Sequence, residues 1–179
     1  YDSVTGAKAR DTARIGGVDQ SVTQYAYDDG GRPTCTARRN NLASLPSDAC
    51  TAGTLGSHGP DQISRTNYDA ANRVTSVVTG IGSGAPITAV TNGYDSSLPG
   101  RLEWVEDGKG NRSQYAYDAN NRIERIYFPS PSTAHTYNAG DYEQYGYDAQ
   151  ANVVSRRMRT GEVIAMRYDP LNRLSVKDM

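Results

Sequence analysis

The dipeptide Tyr-Asp recurs seven times in 179 residues, at Tyr1, Tyr27, Tyr68, Tyr94, Tyr117, Tyr147 and Tyr168. Composition alone predicts roughly one such pair by chance, so the chain is a repeat. Successive copies lie 26, 41, 26, 23, 30 and 21 residues apart. The shortest interval reads as the unit, and the longer ones as the unit plus a loop. A chain of this kind leans each unit on its neighbours instead of folding around one central core.

The words around the pairs also agree. Tyr27-Asp28-Asp29-Gly30-Gly31-Arg32 (27–32), Tyr68-Asp69-Ala70-Ala71-Asn72-Arg73 (68–73), Tyr117-Asp118-Ala119-Asn120-Asn121-Arg122 (117–122) and Tyr168-Asp169-Pro170-Leu171-Asn172-Arg173 (168–173) share the pattern Tyr-Asp-x-x-(Gly/Asn)-Arg. Three copies extend upstream as Tyr-x-Tyr-Asp, from Tyr25, Tyr115 and Tyr145. Asp suits the first position of a type I turn, where its side chain bonds the backbone ahead. Gly or Asn tolerates the positive φ of a closing left-handed residue. The combination is a common β-hairpin connection.

The flanks read as strands: Tyr25-Ala26-Tyr27 before one turn, then Val74 to Val78, Ile123 to Tyr127, Val153 to Met158 and Leu174 to Val176 after others. No window has sustained helical periodicity. If Asp69 pairs with Arg73, Tyr68 faces Val74; likewise Tyr117 faces Ile123 and Tyr168 faces Leu174. The expected fold is all-β, a tandem array of antiparallel hairpins over 1–179.

Lys and Arg (19) nearly balance Asp and Glu (20), whereas an electrostatic nucleic-acid binder carries a basic excess. No apolar run approaches the length of a membrane span, about 18 residues. The chain opens at Tyr1 and reads as a fragment, with Tyr1-Asp2 a truncated repeat.

On these words the sequence resembles the RHS/YD-repeat family, whose repeat has the form Gly-x-x-x-x-Tyr-x-Tyr-Asp-x-x-Gly-Arg-Leu. The resemblance runs over essentially the whole chain. It implies antiparallel hairpins in a long sheet that curves or spirals into a hollow shell, as in bacterial RHS toxins, Tc toxins, wall-associated proteins and teneurins. It implies a non-catalytic scaffold in a bacterial secreted or cell-surface protein, whose shell in the toxins encloses a C-terminal toxic segment. The implied partners are neighbouring repeats of the same chain, the enclosed cargo, or glycans. An adhesive carbohydrate-binding module and an extracellular fibre that self-associates through sheet edges are the alternatives. With about six repeats the segment is expected to be too short to close a shell. It shows no self-cleavage motif, so neither protease nor toxin is expected in it.

Two words depart from the pattern. In 147–152 Ala151 stands where Gly or Asn is expected and Asn152 where Arg is, so a distorted hairpin is expected. In 94–102 two extra residues precede Gly100-Arg101-Leu102, so a longer turn is expected. The longest interval holds Cys35 and Cys50 in an inserted loop (35–60). In an exported protein they suggest a disulfide; two free thiols in a reducing compartment is the alternative. Residues 129–141 and 80–86 read as further solvated insertions.

Catalytic chemistry is thin. His58 and His135 sit in loop-like segments, outside any nucleophile–His–carboxylate arrangement. Glu103, Glu106 and Asp107 form a small acidic cluster near Trp104, read as a solvated strand end. No metal or cofactor site is expected; zinc would need ligands beyond His58 and two cysteines. If sugars bind, Trp104, Tyr127, Tyr137 and Tyr142 are the candidate platforms.

Overall fold

The computed structural model describes residue 1, residues 5–98 and residues 100–178. Asp2 of the expected truncated repeat and Pro99 of the expected longer turn lie outside the described residues. Thirteen strands and no helix are present among the described residues, hydrogen-bonded in chain order. Among the described residues no helix is long and apolar enough to cross a membrane.

The chain divides into two compact units, Tyr1–Thr91 and Asn92–Met179. The first holds β1 (Arg10–Ile15), β2 (Val18–Tyr27), β3 (Pro33–Arg39), β4 (Gln62–Tyr68), β5 (Val74–Ile81) and the start of β6 (Ile87–Tyr94). The second holds the end of β6, then β7 (Leu102–Asp107), β8 (Arg112–Tyr117), β9 (Ile123–Pro129), β10 (Tyr137–Tyr147), β11 (Val153–Arg157), β12 (Val163–Tyr168) and β13 (Leu174–Asp178). The Tyr-Asp turns always lead from an even-numbered strand to the next odd one. Within each unit they therefore share one end of the antiparallel strands, and the insertions share the other.

The register is the one the turn spacing implies: Tyr68 pairs with Val74, Tyr117 with Ile123 and Tyr168 with Leu174. Each pair is preceded by a bulge, in which Thr75, Glu124 or Ser175 is the extra residue of the outgoing strand. The β1–β2 hairpin is a further element. Its Gly16-Gly17 pair takes φ of 57° and 82°, the two positive values that a two-residue hairpin turn needs.

Unit 1 has the only closed core among the described residues. Cys35, Ala37, Ala49 and Ile63 pack together, with Ala26, Cys50 and Ile81 against them. The expected inserted loop 35–60 is corrected here: residues 35–39 belong to β3, and the insert runs over 40–61. Along β3, Cys35, Ala37 and Arg39 are buried while Thr36 and Arg38 are exposed. The alternation is real but hidden in sequence, because one inward residue is an arginine. The insert is also no solvated connection, since Ala49 is 3% exposed and sits in the core.

Unit 2 is a single layer. Apart from Gly110, none of its described residues is fully buried. Stability there rests on half-buried cross-strand pairs and on what joins one turn to the next.

Candidate functional site

The repeat turns are built alike. At Asp28, Asp69, Asp118 and Asp169 the aspartate amide donates to the carbonyl of the arginine four residues on, at 2.9–3.0 Å, and the Gly or Asn amide donates back to the aspartate carbonyl. Gly31, Asn72, Asn121 and Asn172 hold φ of 76°, 65°, 62° and 64°. One aspartate oxygen, Oδ1, accepts two backbone amides, as from Ala71 and Arg73 at 2.9 Å each. The other, Oδ2, accepts the arginine Nε at 2.6–2.8 Å.

These carboxyls are held below the ordinary range. For Asp118 the Arg122 amide contributes most; burial opposes it, and the Arg122 guanidinium adds to the lowering. Asp28, Asp69 and Asp169 are lowered chiefly by the corresponding amide too. A folded-state pKa below the unfolded one gives stability that is present above about pH 4 and lost as pH falls through the folded value. Thermal melts are therefore expected to be level at neutral pH and to fall steadily below about pH 4. Asp118→Asn should flatten part of that fall.

The same residues bind one repeat to the next. Tyr68 Oη donates to the carbonyl of Pro33 (2.9 Å), the residue after Arg32 of the preceding turn. Tyr117, Tyr147 and Tyr168 reach the carbonyls of Leu102, Ile123 and Val153 in the same way, at 2.7, 2.8 and 3.2 Å. In return the arginine covers the next tyrosine: Arg32 lies 4.8 Å from the Tyr68 ring, Arg101 5.0 Å from Tyr117 and Arg122 4.4 Å from Tyr147. Arg32 also donates to Asn72 Oδ1 (2.6 Å). The sequence pattern explains each hairpin, but this interlock between hairpins was not read from it. The constant Tyr and Arg are its signal.

The departures behave differently from one another. At 95–101 the turn is longer, with the Asp95 amide donating to the Arg101 carbonyl (2.9 Å) and Gly100 at φ 95°. At 148–152 the expected distortion is absent. Ala151 itself takes φ 68°, the Asp148 amide still donates to the Asn152 carbonyl (3.0 Å), and Asn152 Nδ2 replaces the arginine on Asp148 Oδ2 (2.9 Å). The bonds on both sides of Ala151 outweigh its backbone preference. A left-handed alanine costs about 1–2 kcal/mol and glycine's extra unfolded freedom about 0.4–1 kcal/mol. Ala151→Gly is thus expected to stabilise by about 0.5–1 kcal/mol in denaturant unfolding.

The acidic cluster near Trp104 is corrected. Asp107 makes a repeat-type turn without tyrosine: its amide donates to the Asn111 carbonyl (3.1 Å), and Gly110 takes φ 81°. Glu106 is largely buried, and its oxygens contact Arg112 (3.0 Å) and the exposed His135 ring (2.9 Å). Burial pushes the Glu106 carboxyl up, but His135 and Arg112 together hold it below its usual value. Glu103 has no such partners and is exposed. His58 contacts Ser57 Oγ in the insert, in the other unit from His135. The Ser57–His58 contact is a hydroxyl–imidazole pair, and among the described residues no carboxylate contacts the His58 ring. No His, Cys, Asp and Glu group able to hold a metal occurs among the described residues.

The insert is organised by Arg39, whose side chain is fully buried beside that of Asp61. Its nitrogens donate to Asp61 Oδ2 (2.7 Å), the carbonyls of Thr51 (2.8 Å) and Asp48 (2.9 Å), and Gln24 Oε1 (2.5 Å). Asp61 also accepts the amides of Asn40 (2.8 Å) and Gly53 (3.0 Å). Burial pushes its carboxyl up, yet the Asn40 amide, Arg39 and the Gly53 amide prevail and lower it. Cys35 and Cys50 are joined in a disulfide across the same segment.

Trp104, Tyr127, Tyr137 and Tyr142 lie in unit 2. Tyr127 contacts Tyr137 (5.1 Å between ring centres) and Tyr142 (5.8 Å). The Trp104 ring is covered by Arg112 at 3.9 Å.

No family model and no curated protein matches this chain. Solved structures do. A crystal structure of TcdB2-TccC3-TEV matches with a TM-score of 0.62 and 18% identity, over 86% of this chain and 7% of that one. A crystal structure of TcdB2-TccC3 matches with a TM-score of 0.61 and 18% identity over the same shares. The Photorhabdus luminescens Tc holotoxin pore matches with a TM-score of 0.55 and 16% identity, over 86% of this chain and 9% of that one. At such identity the likeness is one of fold, and the chain spans less than a tenth of each of these three chains.

Proposed function

We propose that this chain is wall: a non-catalytic segment of an RHS/YD-type β-shell in a large bacterial secreted or cell-surface protein. The observation that carries the reading is the interlock of successive turns, in which each tyrosine bonds the preceding repeat and each arginine covers the next tyrosine. The motif aspartates close each hairpin while the tyrosines and arginines join it to its neighbours, which is what an extendable wall requires. The fold likeness to the Tc toxin structures supports it. In this setting the partners are flanking repeats of the same chain and a C-terminal cargo enclosed by the shell.

A glycan-binding module is less well supported, because the Trp104 and Tyr142 rings are covered by guanidinium groups. Electron microscopy of the native parent, with its intact mass, tests the proposal. A closed hollow particle from a far longer chain is expected. A filament, or a mature chain near 19.4 kDa, would overturn it in favour of a fibre or surface module.

A further inference from the structure

In unit 1 the sheet face bearing Gln24, Ala26, Ala37 and Arg39 is covered by the chain's own extended insert. Arg39 holds two backbone carbonyls and a carboxylate of that segment, and Gln24 Nε2 donates to the Pro46 carbonyl (2.8 Å). The small side chains of Ala26 and Ala37 let it approach. The same word returns in unit 2 as Gln114-Tyr115-Ala116-Tyr117 and Gln144-Tyr145-Gly146-Tyr147. The corresponding face there has small residues in the same places; His135 lies over its β7–β8 end, where it meets Glu106, and no segment is held over Ala116 and Gly146 among the described residues.

Its charges are Arg112, Arg125, Arg157 and Arg167 against Glu106 and Asp178, with Arg112 and Glu106 paired, so the face is net basic. Ala116 pairs with Arg125 and Gln144 with Arg157, so both arginines stand on it. Neither forms an ion pair. Arg125 lies 5.2 Å from the Tyr142 ring and reaches Tyr127 Oη (3.4 Å), while its buried Nε has no acceptor. Arg157 lies 4.2 Å from the same ring and donates to the Tyr142 and Met158 carbonyls. Arg167 follows on the same face, exposed.

We propose that this face of unit 2 docks an extended acidic peptide, held as the insert is held in unit 1. Arg125, Arg157 and Arg167 take its carboxylates, Gln114 takes a backbone carbonyl, and the Tyr127–Tyr137 pair takes an apolar side chain. A neutral sugar fits less well, because the central ring presents guanidinium groups instead of a free aromatic surface. The inference does not depend on whether the array closes into a shell.

The test uses the disulfide-intact chain and a fluorescent peptide copying residues 40–61 with Cys50→Ser. Saturable binding is expected by anisotropy, with affinity reduced at least about tenfold for Arg125→Gln/Arg157→Gln. Arg157 also bonds the fold, so Arg167→Glu, which removes no bond within the sheet, is the second variant and should weaken binding too. A probe with Asp48→Asn and Asp61→Asn should bind more weakly, and a photoreactive probe should label Tyr127 or Tyr137. Absence of saturable binding, affinity unchanged from that of the unaltered chain in either variant, equal affinity for the two probes, or displacement of the peptide by an uncharged oligosaccharide would overturn the proposal.

Discussion

Arg39→Ala is expected to destabilise unit 1 by about 3–5 kcal/mol, the range for removing one partner of a buried ion pair. The side chains of Arg39 and Asp61 are 0% and 4% exposed, so water cannot take over the lost contacts. Asp61 would keep only the Asn40 and Gly53 amides, the Thr51 carbonyl would lose its donor, and the Asp48 carbonyl would keep only the Thr51 amide (3.2 Å). With the guanidinium gone, one of the influences that lower the Asp61 carboxyl is lost, and it should rise toward its ordinary value. Hydrogen exchange can separate this from general damage. Protection should fall first at the Asn40 and Gly53 amides, which bond Asp61, and only slightly at the turns of unit 2. The apolar exchange Arg39→Met/Asp61→Leu should recover only part of the loss, because the Thr51 carbonyl and the Asn40 and Gly53 amides are left without their partners. Uniform loss of protection over both units would contradict the role given to Arg39.

What the sequence made legible follows from where the repeat's energy lies. The hairpins are local: Asp69, Asn72 and Arg73 close their turn within five residues, so a short word suffices to give turn, register and strand pairing. The interlock between Tyr68 and Pro33 spans 35 residues, and a word reports nothing about its neighbour's carbonyl. The 158–162 hairpin was missed because no aspartate marks it; Gly161 at φ 97° carries the turn. Arg39 was missed for the opposite reason. In sequence it belongs to a polar run, Arg38-Arg39-Asn40-Asn41, and only the strand's alternation separates the exposed Arg38 from the buried Arg39. The acidic cluster misled because adjacency along the chain was read as a shared site. Asp107 turns the backbone, while Glu106 lies in the strand and meets His135 from 29 residues away. Fold class thus rests on local chemistry that the repeat displays openly. The surfaces that distinguish one repeat from another depend on contacts between distant segments.

Opening the Cys35–Cys50 bond is expected to cost about 3 kcal/mol in the otherwise unchanged chain, the loop-closure value for a separation of 15 residues. The physical content lies in how this loss combines with Arg39→Ala. A crosslink stabilises by restricting the unfolded chain while leaving the folded segment where it already was. With Arg39 present, the insert is seated, so reduction frees only the unfolded state and the full effect should appear. In Arg39→Ala the insert is largely detached before unfolding, so the bond restricts a loose loop in both states and its contribution shrinks. Denaturant unfolding with and without reductant, in both proteins, closes the cycle. The two losses should sum to more than the loss measured when both changes are made together. Simple additivity would mean that the packing of Ala49 against Cys35 and Ile63 keeps the insert seated without Arg39. In that event the buried arginine would set the path of the insert, and the apolar cluster would hold it down.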